Sequence, residues 1–368
     1  MTRTWESPLG PVPLTRWPVR DDDPLQAWDG ADTYLIEALL ERATPGPILV
    51  VGDAFGGLSV ALAAHGWSVT GWGDSELARL SLEVNARRLG VDVPWIPLTQ
   101  TPPASPTVLV RIPKGLKRLE WTLRRLSDVL PEGATVLLGA KSKQVQKSHV
   151  ALAELLGPAA STRAAHRSRL VIATRDASEC APMAKRSWSV EGMQVRGRPG
   201  VFGEDRCDPG TALLLEEVPR LDGAPRIVDL GCGAGPLGLV AGARSLGASL
   251  LFRDASHAAV ASARDGWEDA FPGREASFEV GDAMDGVEAA SCDLVLCNPP
   301  FHQGTEVTRR VAAHMFAGSA RALRDGGRLL VVGNQHLGYH VGLSKVFRSV
   351  RTLRSSRRFV VLEARTPR

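Results

Sequence analysis

One stretch of the sequence decides the fold, Arg226-Ile-Val-Asp-Leu-Gly-Cys-Gly-Ala-Gly-Pro-Leu-Gly-Leu-Val240. It begins with a short apolar run, continues through a turn that contains three glycines, and ends in a segment rich in Ala, Leu and Val. A buried strand, a glycine-rich turn and a helix fit this order. The stretch therefore predicts an alternating β/α fold in which a ligand approaches the backbone of the turn.

A similar stretch occurs earlier, at Pro47-Ile-Leu-Val-Val-Gly-Asp-Ala-Phe-Gly-Gly-Leu-Ser-Val60. When Gly52 is matched to Gly231, further segments correspond in order: Asp74 with Asp254, 107–114 with 293–300, and 130–138 with 323–331. Several matched elements are the mark of an internal repeat. We therefore predict an α/β protein with two Rossmann-like domains in tandem, at 1–180 and 181–368.

The first copy lacks chemical features of the second. Three positions differ: where the second copy has Asp229, Gly233 and Asn298, the first copy has Val50, Ala54 and Ile112 at the matched positions. A side chain in place of a loop glycine obstructs the close approach of a ligand to the backbone. We therefore expect the N-terminal copy to be degenerate, keeping the fold without the cofactor chemistry.

The composition is that of a globular protein of 368 residues, with 44% hydrophobic and 23% charged residues. The N-terminus has no signal-peptide core, and nowhere do eighteen apolar residues run together. The five cysteines form no CxxC pair, so we expect neither a metal site nor a disulfide framework. These features predict a cytoplasmic protein with no membrane partner.

Basic residues are clustered, although the net charge is only +4. One cluster consists of Lys141, Lys143, Lys147, Arg163, Arg167, Arg169, Arg175, Lys185, Arg186, Arg196 and Arg198. A second consists of Arg348, Arg351, Arg354, Arg357 and Arg358. Such clusters suit a nucleic acid backbone, and a solvated surface explains them equally well.

The glycine-rich turn has the pattern Gly231-x-Gly233-x-Gly235, with Pro236 where a dinucleotide-binding turn would have its third glycine. This departure favours S-adenosylmethionine over a dinucleotide as the cofactor. Two acids close the next strands, Asp254 for the ribose hydroxyls and Asp282 for the adenine amino group. The predicted cofactor-binding residues are Asp229, Gly231, Gly233, Gly235, Asp254, Asp282, Ala283 and Asn298.

The most specific motif is Asn298-Pro-Pro-Phe301, which follows the apolar run 293–297. An exocyclic amino nitrogen is a poor nucleophile, because its lone pair is delocalised into the ring. The Asn298 side-chain oxygen and the Pro299 carbonyl can each accept a hydrogen bond from one of its N–H groups, and Phe301 can stack on a planar substrate. The motif predicts methylation of an amino nitrogen, with Asn298, Pro299 and Phe301 as the catalytic residues.

The motif, extended by His302-Gln303-Gly304, resembles the tandem-domain bacterial ribosomal RNA guanine-N2 methyltransferases. Gly197-Arg-Pro-Gly-Val-Phe202 and Asp208-Pro-Gly210 resemble the family's lead-in to its catalytic domain. Gly333-Asn-Gln-His-Leu-Gly-Tyr339 resembles the large-subunit (G) type of the family more than the small-subunit (C) type. The resemblance implies methylation of a guanine N2 in large-subunit rRNA. It also implies a catalytic second domain that acts on ribosomal RNA or a ribosomal subunit precursor. From the basic cluster between Lys141 and Arg198 we expect the first domain to bind the RNA, and we expect a monomer.

Three alternatives remain open from the sequence. The first is a small-subunit rRNA guanine-N2 methyltransferase. The second is a glutamine-N5 methyltransferase of release factors, although such enzymes usually have Tyr where this chain has Phe301. The third is a non-catalytic RNA-binding factor of ribosome assembly, which the intact Gly231 turn and Asn298 argue against.

Overall fold

The computed structural model describes residues 2–19, 25–42, 46–177, 180–181, 183, 187–300 and 305–367, and only the backbone of 305–308. The chain divides into two compact units, Met1–Ala184 and Lys185–Arg368, here called the first and second units. Each unit contains its own seven-stranded sheet. Within the described ranges, no helix is long and apolar enough to span a membrane.

The first unit begins with a two-stranded hairpin and continues with alternating strands and helices. Its elements are β1 (Arg3–Ser7), β2 (Gly10–Leu14), α1 (Gly30–Arg42), β3 (Ile48–Val51), α2 (Gly57–Ala64), β4 (Val69–Gly73), α3 (Glu76–Leu89), β5 (Trp95–Pro97), β6 (Thr107–Arg111), α4 (Leu116–Ser127), β7 (Thr135–Lys141), α5 (Lys147–Ala153), β8 (Ala159–Ser161) and β9 (Ser168–Thr174).

The second unit also begins with a short hairpin, in which Glu191 and Gly192 form the turn. Its elements are β10 (Trp188–Val190), β11 (Met193–Val195), α6 (Pro209–Leu215), β12 (Arg226–Leu230), α7 (Pro236–Arg244), β13 (Ser249–Asp254), α8 (His257–Ala270), β14 (Ser277–Val280), β15 (Cys292–Cys297), α9 (Thr305–Ala322), β16 (Leu323–Asn334), α10 (Tyr339–Ser344), β17 (Phe347–Ser355) and β18 (Phe359–Pro367).

The two large sheets have the same strand order. The second runs β14-β13-β12-β15-β16-β18-β17, and the first runs β5-β4-β3-β6-β7-β9-β8. In the second sheet the first five strands are parallel, and β18 pairs antiparallel with both β16 and β17. The predicted pair of α/β folds in tandem is confirmed.

Strand pairing corrects the match that the sequence predicts between the two copies. Val50 pairs with Leu109, and Asp229 pairs with Leu296, so Asn298 corresponds to Arg111 and not to Ile112. The same shift by one residue applies to the acid at the end of β13, which corresponds to Gly73 and not to Asp74. Matching by sequence letters missed both shifts, because hydrogen bonding between strands fixes the register and leaves no local sequence pattern.

Alternate residues of the second sheet pack on its two faces. Ile227 and Leu294 contribute to a core with α6, α7 and α8, whereas Val228 and Val295 contribute to a core with α9 and α10. All four side chains are fully buried. Helices on both faces leave the carboxyl ends of the parallel strands as the open edge, where ligands of such sheets bind.

Candidate active site

The turn after β12 has a backbone that only glycine adopts readily. Gly231, Gly233 and Gly235 have φ values of 71°, 54° and 84°, in the left-handed region. A Cβ atom on Gly233 would lie 2.8 Å from the carbonyl oxygen of Phe202, and one on Gly235 would lie 2.9 Å from the Ala263 Cβ. The three glycines are therefore required by the local geometry, whatever ligand the turn binds.

Asp254 holds this turn against α8. Its Oδ2 accepts a hydrogen bond from the Gly233 N–H at 3.0 Å, and its Oδ1 accepts one from the Ser256 N–H at 2.9 Å. Each carboxylate oxygen has more than one acceptor position. The carboxylate thus fixes the turn, while its contact with the ribose hydroxyls stays a prediction.

Asp229 lies beneath the turn and is fully buried. Its Oδ2 accepts from the Gly238 N–H at 2.8 Å, and no partner of its Oδ1 is found among the described residues. Burial raises the pKa of Asp229 to about 8, with a smaller contribution from the charge of Asp254 and against the lowering effect of the hydrogen bond from the Gly238 N–H. Asp229, a predicted cofactor ligand, thus stabilises the turn and the start of α7 from inside the protein.

Arg253 supports the segment that carries Asp282 and Ala283, and sequence reasoning gave it no role. Its Nε donates to the Ala283 carbonyl at 2.5 Å, and its Nη2 donates to the Asp285 carbonyl. Its own carbonyl accepts from the Gly231 N–H at 2.7 Å. One buried residue therefore connects the glycine turn to the predicted adenine-binding segment. The sequence feature that could have indicated this role is a charged residue, Arg253, near the end of the otherwise apolar strand β13.

The segment that Arg253 supports is strained at one residue and faces α9. Ala283 has φ 42°, which is uncommon for a residue with a side chain. The His314 Nε2 lies 3.5 Å from a carboxylate oxygen of Asp282 and 3.6 Å from one of Asp285. The strain is consistent with a functional turn, because such conformations persist only where their surroundings fix them.

Asn298 follows β15 and is anchored at one end of its side-chain amide. Its Nδ2 donates to the Thr211 Oγ1 at 2.8 Å, whereas its buried Oδ1 has no partner among the described residues. Thr211 lies in the first turn of α6, where the Asp208 carboxylate accepts its N–H. The arrangement leaves one acceptor available beside the glycine turn.

Asn298 lines a cleft with residues of the glycine turn and of the lead-in segment. The other lining residues are Trp188, Phe202, Gly203, Asp208, Thr211, Gly231, Cys232, Pro236 and Leu237. The structure thus brings the predicted amide and the predicted turn together. Phe301, the predicted stacking residue, lies outside the described residues.

The corresponding place in the first unit is occupied by an ion cluster. The Arg111 guanidinium lies 2.8 Å from a carboxylate oxygen of Asp29 and 2.8 Å from one of Asp32. Asp32 stands three residues after Asp29, as Thr211 stands three after Asp208. An arginine and an acid therefore replace the amide and hydroxyl pair, and the position offers no free amide acceptor.

Comparisons with known proteins match both units along most of their length. The methyltransferase small domain family matches residues 192–363, and the RLMG N-terminal domain family matches residues 2–177. A ribosomal RNA large subunit methyltransferase G of Streptomyces avermitilis is 41% identical over 97% of this chain and 98% of its own length. One of Pseudomonas putida is 38% identical over 98% of each. The chain belongs to the large subunit methyltransferase G family.

This membership confirms the predicted resemblance. The fold of this chain also matches that of a solved 16S rRNA N2 methyltransferase of T. thermophilus in complex with AdoMet and guanosine. The TM-score is 0.75 and the identity 22%, over 100% of this chain and 98% of that chain. At this level of identity the match supports the methyltransferase fold of the whole chain.

Proposed function

We propose that this chain transfers the methyl group of S-adenosylmethionine to the exocyclic N2 amino group of a guanine in large-subunit ribosomal RNA. Its relatives are named for large-subunit rRNA methylation. One observation carries the chemistry, namely that Asn298 is anchored through its Nδ2 while its Oδ1 has no partner among the residues that the structure describes. The oxygen of an amide held in this way can accept a hydrogen bond from the amino group of a substrate.

The chain's own residues act by alignment. Asn298 Oδ1 and the Pro299 carbonyl each hold one N–H of the amino group, which directs the nitrogen lone pair toward the cofactor. Phe301 stacks on the base. When bound, S-adenosylmethionine supplies an electrophilic methyl group, and no nucleophilic side chain is required.

The residues present fit this cofactor. Gly231, Gly233 and Gly235 add no side chains to the turn, and Gly231 is partly exposed in the cleft beside Asn298, so a ligand can approach the backbone there. Asp254 has acceptor capacity for the ribose hydroxyls, and Asp282 with Ala283 forms a turn suited to the adenine edge. We assign these residues to cofactor binding, with Asp229 as the internal support of the turn.

We also propose that the first unit holds the RNA. Lys141 ends β7, Lys143 follows it and Lys147 begins α5, so the three side chains lie at the carboxyl edge of the first sheet. All three are exposed, and no carboxylate is seen paired with them in the described part of the chain. We expect a monomer that acts in the cytoplasm on ribosomal RNA or a subunit precursor.

The Asn298→Ala variant tests the proposed reaction. We expect it to retain binding of S-adenosylmethionine and RNA while turnover falls by about 100-fold or more, or about 3 kcal/mol in the transition state. Radiolabelled methyl transfer to rRNA from a strain lacking the gene, followed by nucleoside mass spectrometry, measures both rate and product.

The matched control is Asn298→Asp, which keeps an acceptor oxygen and should recover part of the rate. Turnover near that of the wild type in Asn298→Ala would contradict the alignment mechanism. Methylation of release-factor glutamine in place of guanine would contradict the proposed substrate.

A further inference from the structure

The turn between β17 and β18, residues 355–358, is here called the arginine turn. β16 is parallel to β15 and ends at Asn334, which pairs with Phe359 at the start of β18. The arginine turn immediately precedes Phe359. It therefore lies at the same edge of the second sheet as the glycine turn and Asn298.

The arginine turn is held in one conformation by hydrogen bonds. The Gln335 N–H donates to the Arg358 carbonyl at 2.9 Å, and the Gln335 Nε2 donates to the Ser355 Oγ at 3.2 Å. The Ser356 N–H donates to the Phe359 carbonyl at 2.8 Å. Side chains on such a turn are presented from a fixed backbone, which lowers the entropy lost on binding.

A short path of contacts connects the arginine turn to the predicted acceptor. A Cβ atom on Gly210 would lie 3.2 Å from the Phe359 ring, so the ring packs directly on the start of α6. The next residue, Thr211, accepts the hydrogen bond from Asn298. The turn is thus adjacent to the place where a target base would meet Asn298.

The five arginines of the second basic cluster differ in their surroundings and in the edge of the sheet at which they lie. Arg351 pairs with Glu363, and Arg354 pairs with Glu216 and Glu217. Arg348 follows Phe347, which pairs with Pro367 at the opposite edge of the sheet. At the acceptor edge this leaves the two arginines of the turn.

Arg357 and Arg358 are both exposed. In the described ranges neither forms an ion pair, and the Arg358 guanidinium lies over the Phe359 ring at 5.6 Å from its centre. The stacking orients a cation without neutralising it. Two adjacent guanidinium groups therefore remain available for an anionic ligand.

We propose that the arginine turn binds the RNA phosphates that flank the target nucleotide. The inference rests on the proposed function. A base that is turned out of its stack makes few contacts and costs energy to expose, so contacts to the flanking backbone must hold it. Guanidinium groups bind phosphate oxygens in a bidentate manner, which positions the backbone as well as attracting it.

The test uses the full-length double variant Arg357→Ala/Arg358→Ala and rRNA purified from a strain lacking the gene. We expect the RNA dissociation constant to rise by tenfold or more at low salt. Its salt dependence should flatten by up to about two counterions. The dissociation constant for S-adenosylmethionine should stay unchanged, which shows that the fold is intact.

The matched control is Arg348→Ala, an exposed arginine of the same hairpin at the opposite edge, which should leave RNA affinity unchanged. Equal effects of the control and the double variant, or wild-type affinity and salt slope in the double variant, would overturn the proposal. If the wild type binds rRNA without methylating it, the proposed function fails, while the difference between the two variants still decides the role of the arginine turn.

Discussion

Asn298 and Arg111 occupy corresponding positions in two sheets of the same strand order, and they have opposite consequences. The amide of Asn298 uses its donor on Thr211 and keeps an acceptor. Arg111 has only donors, and they point to Asp29 and Asp32. The two sheets therefore differ at this position, where the second has an amide and the first has a paired guanidinium.

At the scale of one residue, we predict that Asp229→Asn stabilises the protein at high pH. The pKa of Asp229 is raised by burial to about 8 in the folded state, against 3.8 ordinarily. Stability is therefore complete below about pH 3.8 and falls as pH rises toward 8, because the unfolded chain ionises first. An amide removes this penalty. Melting temperatures should coincide near pH 4 and favour the variant by several degrees at pH 8.

The control for this prediction is Asp222→Asn, because the Asp222 side chain is 94% exposed. It should leave the difference in melting temperature flat across the same pH range. A wild type whose stability does not decline between pH 4 and 8 relative to Asp229→Asn would show that Asp229 is not the group responsible.

Residues whose role depends on their neighbours in the sequence could be predicted from the sequence. Residues whose role depends on contacts with distant parts of the chain could not. The glycines and Asn298 belong to short motifs whose chemistry can be recognised from adjacent letters. Thr211 is 87 residues from Asn298, and Arg253 is 30 residues from the Ala283 carbonyl that it holds. Their roles arise only when strands and helices assemble.

At the scale of elements, the outer strands of the second sheet are joined by one acid. Glu363 of β18 has a side chain that is 1% exposed and contacts Arg328 of β16, Arg351 of β17 and Arg365. Burial would raise the pKa of Glu363, but hydrogen bonds from the three arginines lower it to about 2. The acid links all three strands near the middle of β18, where Glu363 pairs with Leu330 of β16 and Arg351 of β17.

We predict that Glu363→Gln lowers the free energy of unfolding by about 2–3 kcal/mol at pH 7. The pKa is depressed, so the stabilisation is present above the ordinary value of 4.5 and is lost as pH falls toward 2. Denaturant unfolding at pH 7 and pH 3 measures this. The exposed Glu216, changed to Gln, should cost no more than about 0.5 kcal/mol. Equal losses in the two variants would contradict the prediction.

At the scale of the whole molecule, the two units carry different charges at the same edge of their sheets. The second unit presents the acids Asp254 and Asp282, whereas the first presents Lys141, Lys143 and Lys147. The acids suit cofactor binding in the second unit, and the lysines of the first unit add phosphate contacts to those proposed for the arginine turn.

We predict that Lys141→Ala/Lys143→Ala/Lys147→Ala raises the RNA dissociation constant and flattens its salt dependence by up to about three counterions. Affinity for S-adenosylmethionine should not change, because the cofactor residues belong to the second unit. RNA binding at two salt concentrations measures the effect. Arg87→Ala, at the far end of α3, is the control, and unchanged affinity of the triple variant at both salts would contradict an RNA-holding role.

The duplication itself could be predicted from the sequence, because glycine turns and apolar runs recur in order. The exact correspondence could not be predicted, since the position equivalent to Asn298 in the first sheet is Arg111 and not Ile112. The strand order of each sheet and the separation of the arginines by edge are also properties of the assembled strands. The arginine turn thus became distinguishable from its neighbours only in the structure.

The Arg111 cluster also affects whether the loss of the first site is reversible in evolution. Replacing Arg111 alone would leave the buried Asp32 without its cation, and replacing Asp32 alone would leave Arg111 short of a counterion. Breaking one side of a buried ion pair is strongly destabilising. Each single reverting substitution therefore produces a less stable intermediate. An active first unit is reached only by several coordinated substitutions.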